Sequence, residues 1–139
     1  MSLYAILGSN NSLNYFPHNK PYRFRSQLNV PLNMNGMWKV ALMEAEISTS
    51  LSKTDALYVY SNICGDSIVN GRSEPLLRRL MTAEPGNWST ILETPHYLPV
   101  KISEIYDIDI YITDETGELA SFLNQPSTVT LHFKAFPFV

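Results

Sequence analysis

The chain has 139 residues, the size of one domain, and 45% of them are apolar while 17% are charged. That charge content lies below the globular average of about 25% and excludes a coiled coil or a disordered tail. The net charge of −3 argues against nucleic acid as a partner, because nucleic-acid-binding domains typically carry a basic patch.

Alternation of apolar and polar residues with a period of two dominates the first part of the chain and predicts β-strands. These strands are expected over residues 3–7, 24–28, 38–47, 57–60, 66–73 and 75–81. In the third, alternation places Trp38, Val40 and Leu42 on one side and Lys39, Ala41, Met43, Ala45 and Ile47 on the other. Residues 40–46 also fit a helical turn. Asn70 and Gly71 predict a hairpin turn in the fifth segment.

The remaining segments give the clearer strand pattern. Residues 97–100 are expected to form an edge strand, because Pro95 precedes them and Pro99 lies within them. Residues 105–112 and 128–134 alternate strictly, with Ile108, Ile110 and Ile112 on one face of the first and Val129, Leu131 and Phe133 on one face of the second. About eight strands at short spacing predict an all-β, antiparallel sandwich or barrel that takes in residues 1–139 as a single domain.

Common catalytic and metal-binding motifs are absent from the sequence. Cys64 stands alone, which excludes a disulfide within the chain, and it is expected to be a semi-buried residue rather than a nucleophile. His18, His96 and His132 lack metal-site spacing and are expected to be surface or capping residues, with a pH sensor as the alternative. We therefore expect no catalytic residues, no metal and no cofactor.

Two carboxylate pairs have the spacing that places both members on one face of a strand. They are Asp107 with Asp109, and Glu44 with Glu46. Such pairs can serve acid–base chemistry or bind a cation. The favoured interpretation is a solvated outer face that protects the sheet from edge-to-edge aggregation.

Aromatic and basic residues alternate near the N-terminus. The aromatic residues are Tyr15, Phe16, Tyr22 and Phe24, and the basic residues are Lys20, Arg23 and Arg25. Such a pattern can stack on single-stranded nucleic acid, but the acidic balance and the neighbouring prolines weaken that interpretation. The alternative is an arm over residues 9–24 that packs its aromatic rings on the domain or on a neighbouring protein, so the four aromatic residues are candidate partner-binding residues.

The C-terminal segment is apolar. Residues 134–139 contain Phe136 and Phe138, and they form a tail that we expect to dock on its own sheet or on a partner. Both phenylalanines are therefore further candidate partner-binding residues.

The N-terminus shows no basic region followed by a long apolar stretch, and no apolar run approaches the roughly 18 residues of a membrane span. We expect no signal peptide, no membrane partner and a reducing compartment, either cytosol or nucleus.

Short landmarks follow one another in a fixed order through nearly the whole chain. They are LYAIL (3–7), SNNS (9–12), FPHN (16–19), GMWKVALME (36–44), LYVY (57–60), PLLR (75–78), HYLPV (96–100), DETG (114–117) and VTLHF (129–133). With these landmarks the chain resembles a domain that Polinton/Maverick transposons and adintoviruses carry in a minor virion protein. It is also similar to a small minor capsid protein of atadenoviruses.

This resemblance implies a jelly-roll-like β-sandwich and a non-enzymatic minor capsid or cement protein of a double-stranded DNA virus. The partners would be other viral capsid proteins, with a homo-oligomer such as a trimer as a further expectation. The location would be the virion and, during assembly, the host cell nucleus. The transposon proteins usually continue past the last landmark, so we expect a small cement protein rather than a multi-part spike.

Two alternatives remain open. The first is a receptor- or ligand-binding module resembling a spike or fibre head, with the turn clusters at 8–12, 66–73 and 84–89 as its binding loops. The second, weaker alternative is an enzyme that uses Cys64 or the carboxylate pairs.

Overall fold

A computed structural model describes residues 2–51, 54–82 and 84–136. This part of the chain contains eleven strands and no helix. The strands are β1 (Ser2–Gly8), β2 (Arg23–Asn33), β3 (Trp38–Glu46), β4 (Ala56–Ser61), β5 (Ser67–Val69), β6 (Arg72–Glu74), β7 (Leu76–Met81), β8 (Thr90–Ile91), β9 (Leu98–Pro99), β10 (Glu104–Thr113) and β11 (Thr128–Ala135).

Two antiparallel sheets form the layers of a β-sandwich. Sheet 1 has the order β1-β11-β3-β8, and β9 also pairs with β3. Sheet 2 has the order β2-β10-β4-β7, while β5 and β6 form a separate hairpin. The predicted antiparallel β-sandwich is therefore confirmed. The predicted count of about eight strands is too low, because segment 66–73 is two short strands and β8 has no clear alternation pattern of its own.

Consecutive strands repeatedly cross from one sheet to the other. β1 and β3 lie in sheet 1, whereas β2 and β4 lie in sheet 2, and the same exchange occurs between β10 and β11. Each sheet consequently pairs strands that are distant in sequence, such as β1 with β11. The two layers are joined by the chain as well as by their shared core.

The core lies between the two sheets and is built from the inward side of each alternating strand. Ile108, Ile110 and Ile112 of β10 are buried there, as are Val129, Leu131 and Phe133 of β11. Both sets were predicted from the period-two pattern, and both are confirmed. β-branched and aromatic side chains favour these strands because they pack well on a pleated, half-buried surface.

A β-bulge changes the predicted faces of β3. Leu42 pairs with Leu131 and Glu44 pairs with Thr130, so Met43 is an extra residue in this ladder. An extra residue reverses the alternation beyond it. Ala45 is therefore buried like Leu42 rather than facing the opposite side, and Ile47, just past the strand, is buried as well. The placement of these two residues by simple alternation was wrong, and so was the helical alternative for residues 40–46.

The β5–β6 hairpin turns at the predicted residues. Asn70 and Gly71 have φ values of 50° and 81°, which is the left-handed backbone that a two-residue type I′ turn requires. The strand predicted near Pro99 is also present, since β9 pairs with one edge of β3.

Candidate functional site

The segment 9–22 folds across the outer edge of β2. The Asn19 side chain accepts a hydrogen bond from the Arg25 backbone N–H at 3.0 Å and donates one to the Arg25 carbonyl at 2.9 Å. The Ser12 hydroxyl accepts a third from the Gln27 N–H at 3.0 Å. These side chains occupy backbone groups that an edge strand would otherwise offer to another chain. The expected arm at 9–24 is therefore docked on its own domain, and its last two residues belong to β2.

The docked segment and β2 enclose an open groove of about 380 Å³. Its lining consists of residues 15–19 together with Arg23, Phe24, Arg25 and Asp109. Tyr15 lies at its rim with 67% of its surface exposed, and the half-buried Phe16 lies beside it. The Arg25 guanidinium stands 5.5 Å from the centre of the Phe16 ring. We call this region the aromatic groove.

Two aspartates from β10 balance the arginines of the aromatic groove. Arg25 lies 3.7 Å from Asp107 and 3.5 Å from Asp109, and Arg23 lies 3.9 Å from Asp109. The two carboxylates thus form ion pairs with arginines of the neighbouring strand, which is a structural role. Both arginine side chains are nevertheless about half exposed. The groove therefore combines exposed aromatic surface with charged donors that a partner can reach.

The predicted partner-binding residues differ in how accessible they are. Phe24 is only 1% exposed and packs in the core, so its side chain offers almost no surface to a partner. The reason is that alternation along β2 turns Phe24 inward and Arg23 and Arg25 outward. Tyr22 is half-buried and packs against the core. Tyr15 and Phe16 remain accessible.

Phe136 lies on the other layer, beyond the end of β11. Its backbone N–H donates to the Met37 carbonyl at 2.8 Å, and the Lys39 ammonium lies 4.6 Å from its ring centre. The expected docking of the tail on its own sheet is seen for this residue, whereas Phe138 lies outside the described residues. The sequence-predicted candidates thus belong to two separate surfaces.

Cys64 is fully buried. Its Sγ lies 3.3 Å from the Pro75 carbonyl oxygen, and burial raises the pKa of the thiol to about 11. A thiol is nucleophilic only as the thiolate, so this environment disfavours nucleophilic chemistry at Cys64. The residue is more deeply buried than the expected semi-buried position.

A cluster around His132 was not predicted from the sequence. His132 was expected at the surface, yet it is only 8% exposed. The Tyr4 ring stacks on it at 4.5 Å, and the Tyr97 hydroxyl is hydrogen-bonded to its Nδ1 at 2.8 Å. Burial, reinforced by the nearby Lys134 ammonium, lowers the pKa of His132. His18 and His96 are exposed, as expected.

The three turn clusters of the receptor alternative lie in different settings. Residues 8–12 and 84–89 lie at the same end of sheet 1, but the second loop is anchored by Trp88, which is buried and donates to the Asp55 carbonyl at 3.1 Å. The third cluster contains the β5–β6 hairpin, which encloses a groove of about 290 Å³ with Tyr60 and Tyr111. We call this the hairpin groove.

Among residues 2–51, 54–82 and 84–136, no three His, Cys, Asp or Glu side chains come together as metal ligands. The same residues include no helix with the length and hydrophobicity needed to cross a bilayer.

No family model matches the sequence, and no curated protein matches it. Among solved structures, a chain in the structure of infectious bursal disease virus Gx strain is similar at 14% identity, with a TM-score of 0.29. The match covers 97% of this chain and 33% of that chain, so this chain spans about a third of the length of its neighbour.

Proposed function

We propose that this chain is a non-enzymatic structural protein of a double-stranded DNA virus of the adenovirus or Polinton type. In this role it acts as a minor capsid or cement protein that binds other capsid proteins and stabilises the virion. The resemblance carried by the landmarks and the β-sandwich fold both support this role. Its location would be the virion and, during assembly, the nucleus of the host cell.

The aromatic groove is the observation that carries the proposal. The landmark at 16–19 supplies four of its nine lining residues, and Asn19 within that landmark fixes the segment to β2 through two hydrogen bonds. The backbone that carries Tyr15 and Phe16 is therefore fixed before a partner arrives, which reduces the entropy lost on binding. Aromatic residues and arginine are the residue types that contribute most strongly at protein interfaces.

The strand order supports a jelly roll as the form of this sandwich. With the β5–β6 hairpin set aside and β8 and β9 taken as one edge position, the chain-terminal strands β1 and β11 pair side by side. Consecutive strands alternate between the two layers except β4 and β7, which are neighbours in sheet 2. Two interlocked Greek keys in two sheets are the hallmark of that architecture, which occurs widely in capsid proteins.

Incorporation into particles tests the proposed function. Virions carrying the double variant Tyr15→Ala/Phe16→Ala are purified on gradients, and the chain is quantified by mass spectrometry through steps of salt and mild heat. We expect at least a tenfold loss of incorporation, while Met81→Ala, an exposed apolar residue on β7, is incorporated normally. Normal incorporation of the double variant contradicts the role of the groove, and absence of the unmodified chain from particles contradicts a structural role.

The hairpin groove favours a second candidate function, a receptor- or ligand-binding module. Tyr60 and Tyr111 stack at 4.9 Å on its floor, and Arg72 and Glu74 line its side. In this case soluble protein should compete with particles for cells, and Arg72→Ala should remove the competition. Equal competition by the variant and the unmodified protein contradicts this second function.

A further inference from the structure

The outer face of sheet 1 exposes large apolar side chains. On the edge strand β1, Tyr4 is 61% exposed and Ile6 is 68% exposed, and Ile91 of β8 at the opposite edge is 71% exposed. The solvated face of an antiparallel sheet is normally polar. A face of this composition is typical of a surface that another molecule covers.

Charged residues divide the same face along the strand direction. Lys39 and Lys134 are directly opposite each other on β3 and β11 at one end. Glu44 and Glu46 lie at the other end of the face, opposite Thr130 and Thr128. Among the ion pairs of the described residues, none involves these four side chains. The face therefore has a basic end and an acidic end.

We propose that this face binds a second copy of the chain through a two-fold axis that lies in the contact plane and crosses the strands at right angles. Such a rotation reverses the strand direction and keeps each strand opposite its own copy. The basic end of one copy then meets the acidic end of the other, and Lys39 lies opposite Glu46 of the second copy. Tyr4 lies opposite Ile6 of the second copy, and each contact occurs twice, as a two-fold interface requires.

The charge pattern selects a second copy over an unrelated partner. A partner of one charge sign would be attracted at one end of the face and repelled at the other, whereas a reversed copy is complementary at both. Four strand positions and about eight residues along them give a footprint of roughly 400 Å² per copy. This is smaller than the surface of about 800 Å² per partner in a standard stable interface, so the dimer is expected to be reversible.

Charge reversal tests the two-fold contact directly. Sedimentation velocity is measured on the full chain over a concentration series, for the unmodified protein and for Lys39→Glu and Glu46→Lys. Each reversal places like charges opposite each other at both of the symmetry-related contacts. We therefore expect dimerisation to be about tenfold weaker or more. Glu118→Lys is the matched control, because Glu118 is exposed and lies away from this face.

Mixing the two reversed variants gives the decisive result. In a mixed dimer, both cross-copy pairs again join opposite charges, so dimerisation should return to within about threefold of the unmodified protein. An ion pair between positions 39 and 46 of the same chain is excluded, because the two positions are seven residue steps apart along the strand, a distance of about 23 Å. The reversed variants leave the aromatic groove intact, so this result is separate from the incorporation experiment.

Three outcomes overturn the inference. They are a monomer throughout the concentration series, a trimer that is indifferent to the charge reversals, and failure of the mixed variants to associate while each remains folded by circular dichroism. A monomer would indicate that a different capsid protein covers this face.

Discussion

Tyr4 and His132 occupy directly opposite positions on β1 and β11, and their rings stack at 4.5 Å with an angle of 15° between the planes. The tyrosine covers the histidine on the outside of the sheet, and Tyr97 holds its Nδ1 from the other side. The Nε2 atom is buried and has no hydrogen-bond partner among the described residues. A histidine in this setting is held neutral.

The free energy of unfolding should therefore decrease as the pH falls through about 6.5, the ordinary pKa of histidine. The folded-state pKa of His132 is lowered by burial and by Lys134, so below that pH the unfolded chain binds a proton that the folded chain excludes. Stability from this group is complete above pH 6.5 and is lost towards the lower folded-state pKa. The slope contributed by one proton is at most about 1.4 kcal/mol per pH unit.

Urea unfolding at a series of pH values measures this effect. His132→Phe removes the titrating group and should flatten the profile between about pH 6.5 and 5. His96→Gln, at an exposed histidine, should retain the slope of the unmodified protein. Identical slopes for His132→Phe and the unmodified protein would rule out His132 as the source.

Asn19 protects the edge of β2, and its removal should cost stability and solubility. Asn19→Ala loses both hydrogen bonds to the Arg25 backbone, which we expect to lower the free energy of unfolding by about 1–2 kcal/mol. The exposed N–H and C=O groups should also increase aggregation in light scattering. Asn19→Asp keeps the acceptor and should lose less, and Asn29→Ala, at an exposed position of the same strand, should match the unmodified protein. Equal stability of Asn19→Ala and Asn29→Ala would show that the edge needs no such cap.

Much of the fold could be predicted because alternation reports burial directly. The burial of the β10 isoleucines and of the inward residues of β11 could be predicted from a period of two. The turn at Asn70 and Gly71 could be predicted because both residue types readily adopt the left-handed backbone that it requires. The bulge at Met43 could not be predicted in this way. It arises where β3 pairs with β11, and no local pattern in either strand specifies which residue is left unpaired.

The sites were less predictable, because they depend on contacts between distant segments. His132 is covered by Tyr4 and Tyr97, which are far from it in sequence, so its outward position on β11 alone suggested exposure. The burial of Phe24, in contrast, could be predicted from the alternation along β2. Its place between the outward Arg23 and Arg25 on an alternating strand indicates the core, whereas the clustering of aromatic residues around it suggests a partner contact.

Gly86 is a position where any side chain should be destabilising. Its φ is +80°, and an added Cβ would lie 2.6 Å from the Thr49 carbonyl oxygen. Gly86→Ala therefore combines backbone strain with a clash against backbone, and we expect a loss of about 2 kcal/mol or more in chemical unfolding. Gly117 has a φ of +89° but open space around it, so Gly117→Ala should lose only about 1 kcal/mol from the backbone conformation. Equal losses at the two positions would contradict the clash with Thr49.

Thiol labelling should follow the unfolding of the chain rather than the reactivity of Cys64. The thiol is buried, and its pKa of about 11 leaves it protonated at pH 8, where the thiolate fraction is on the order of one in a thousand. Reaction with a disulfide reagent at pH 8 should therefore be slow in buffer and fast in urea. In Cys64→Ala/Asn29→Cys the single thiol is at an exposed position of β2 and should react at once under both conditions. Rapid labelling of Cys64 in the folded protein would show an accessible thiolate and would revive the possibility of a nucleophilic role.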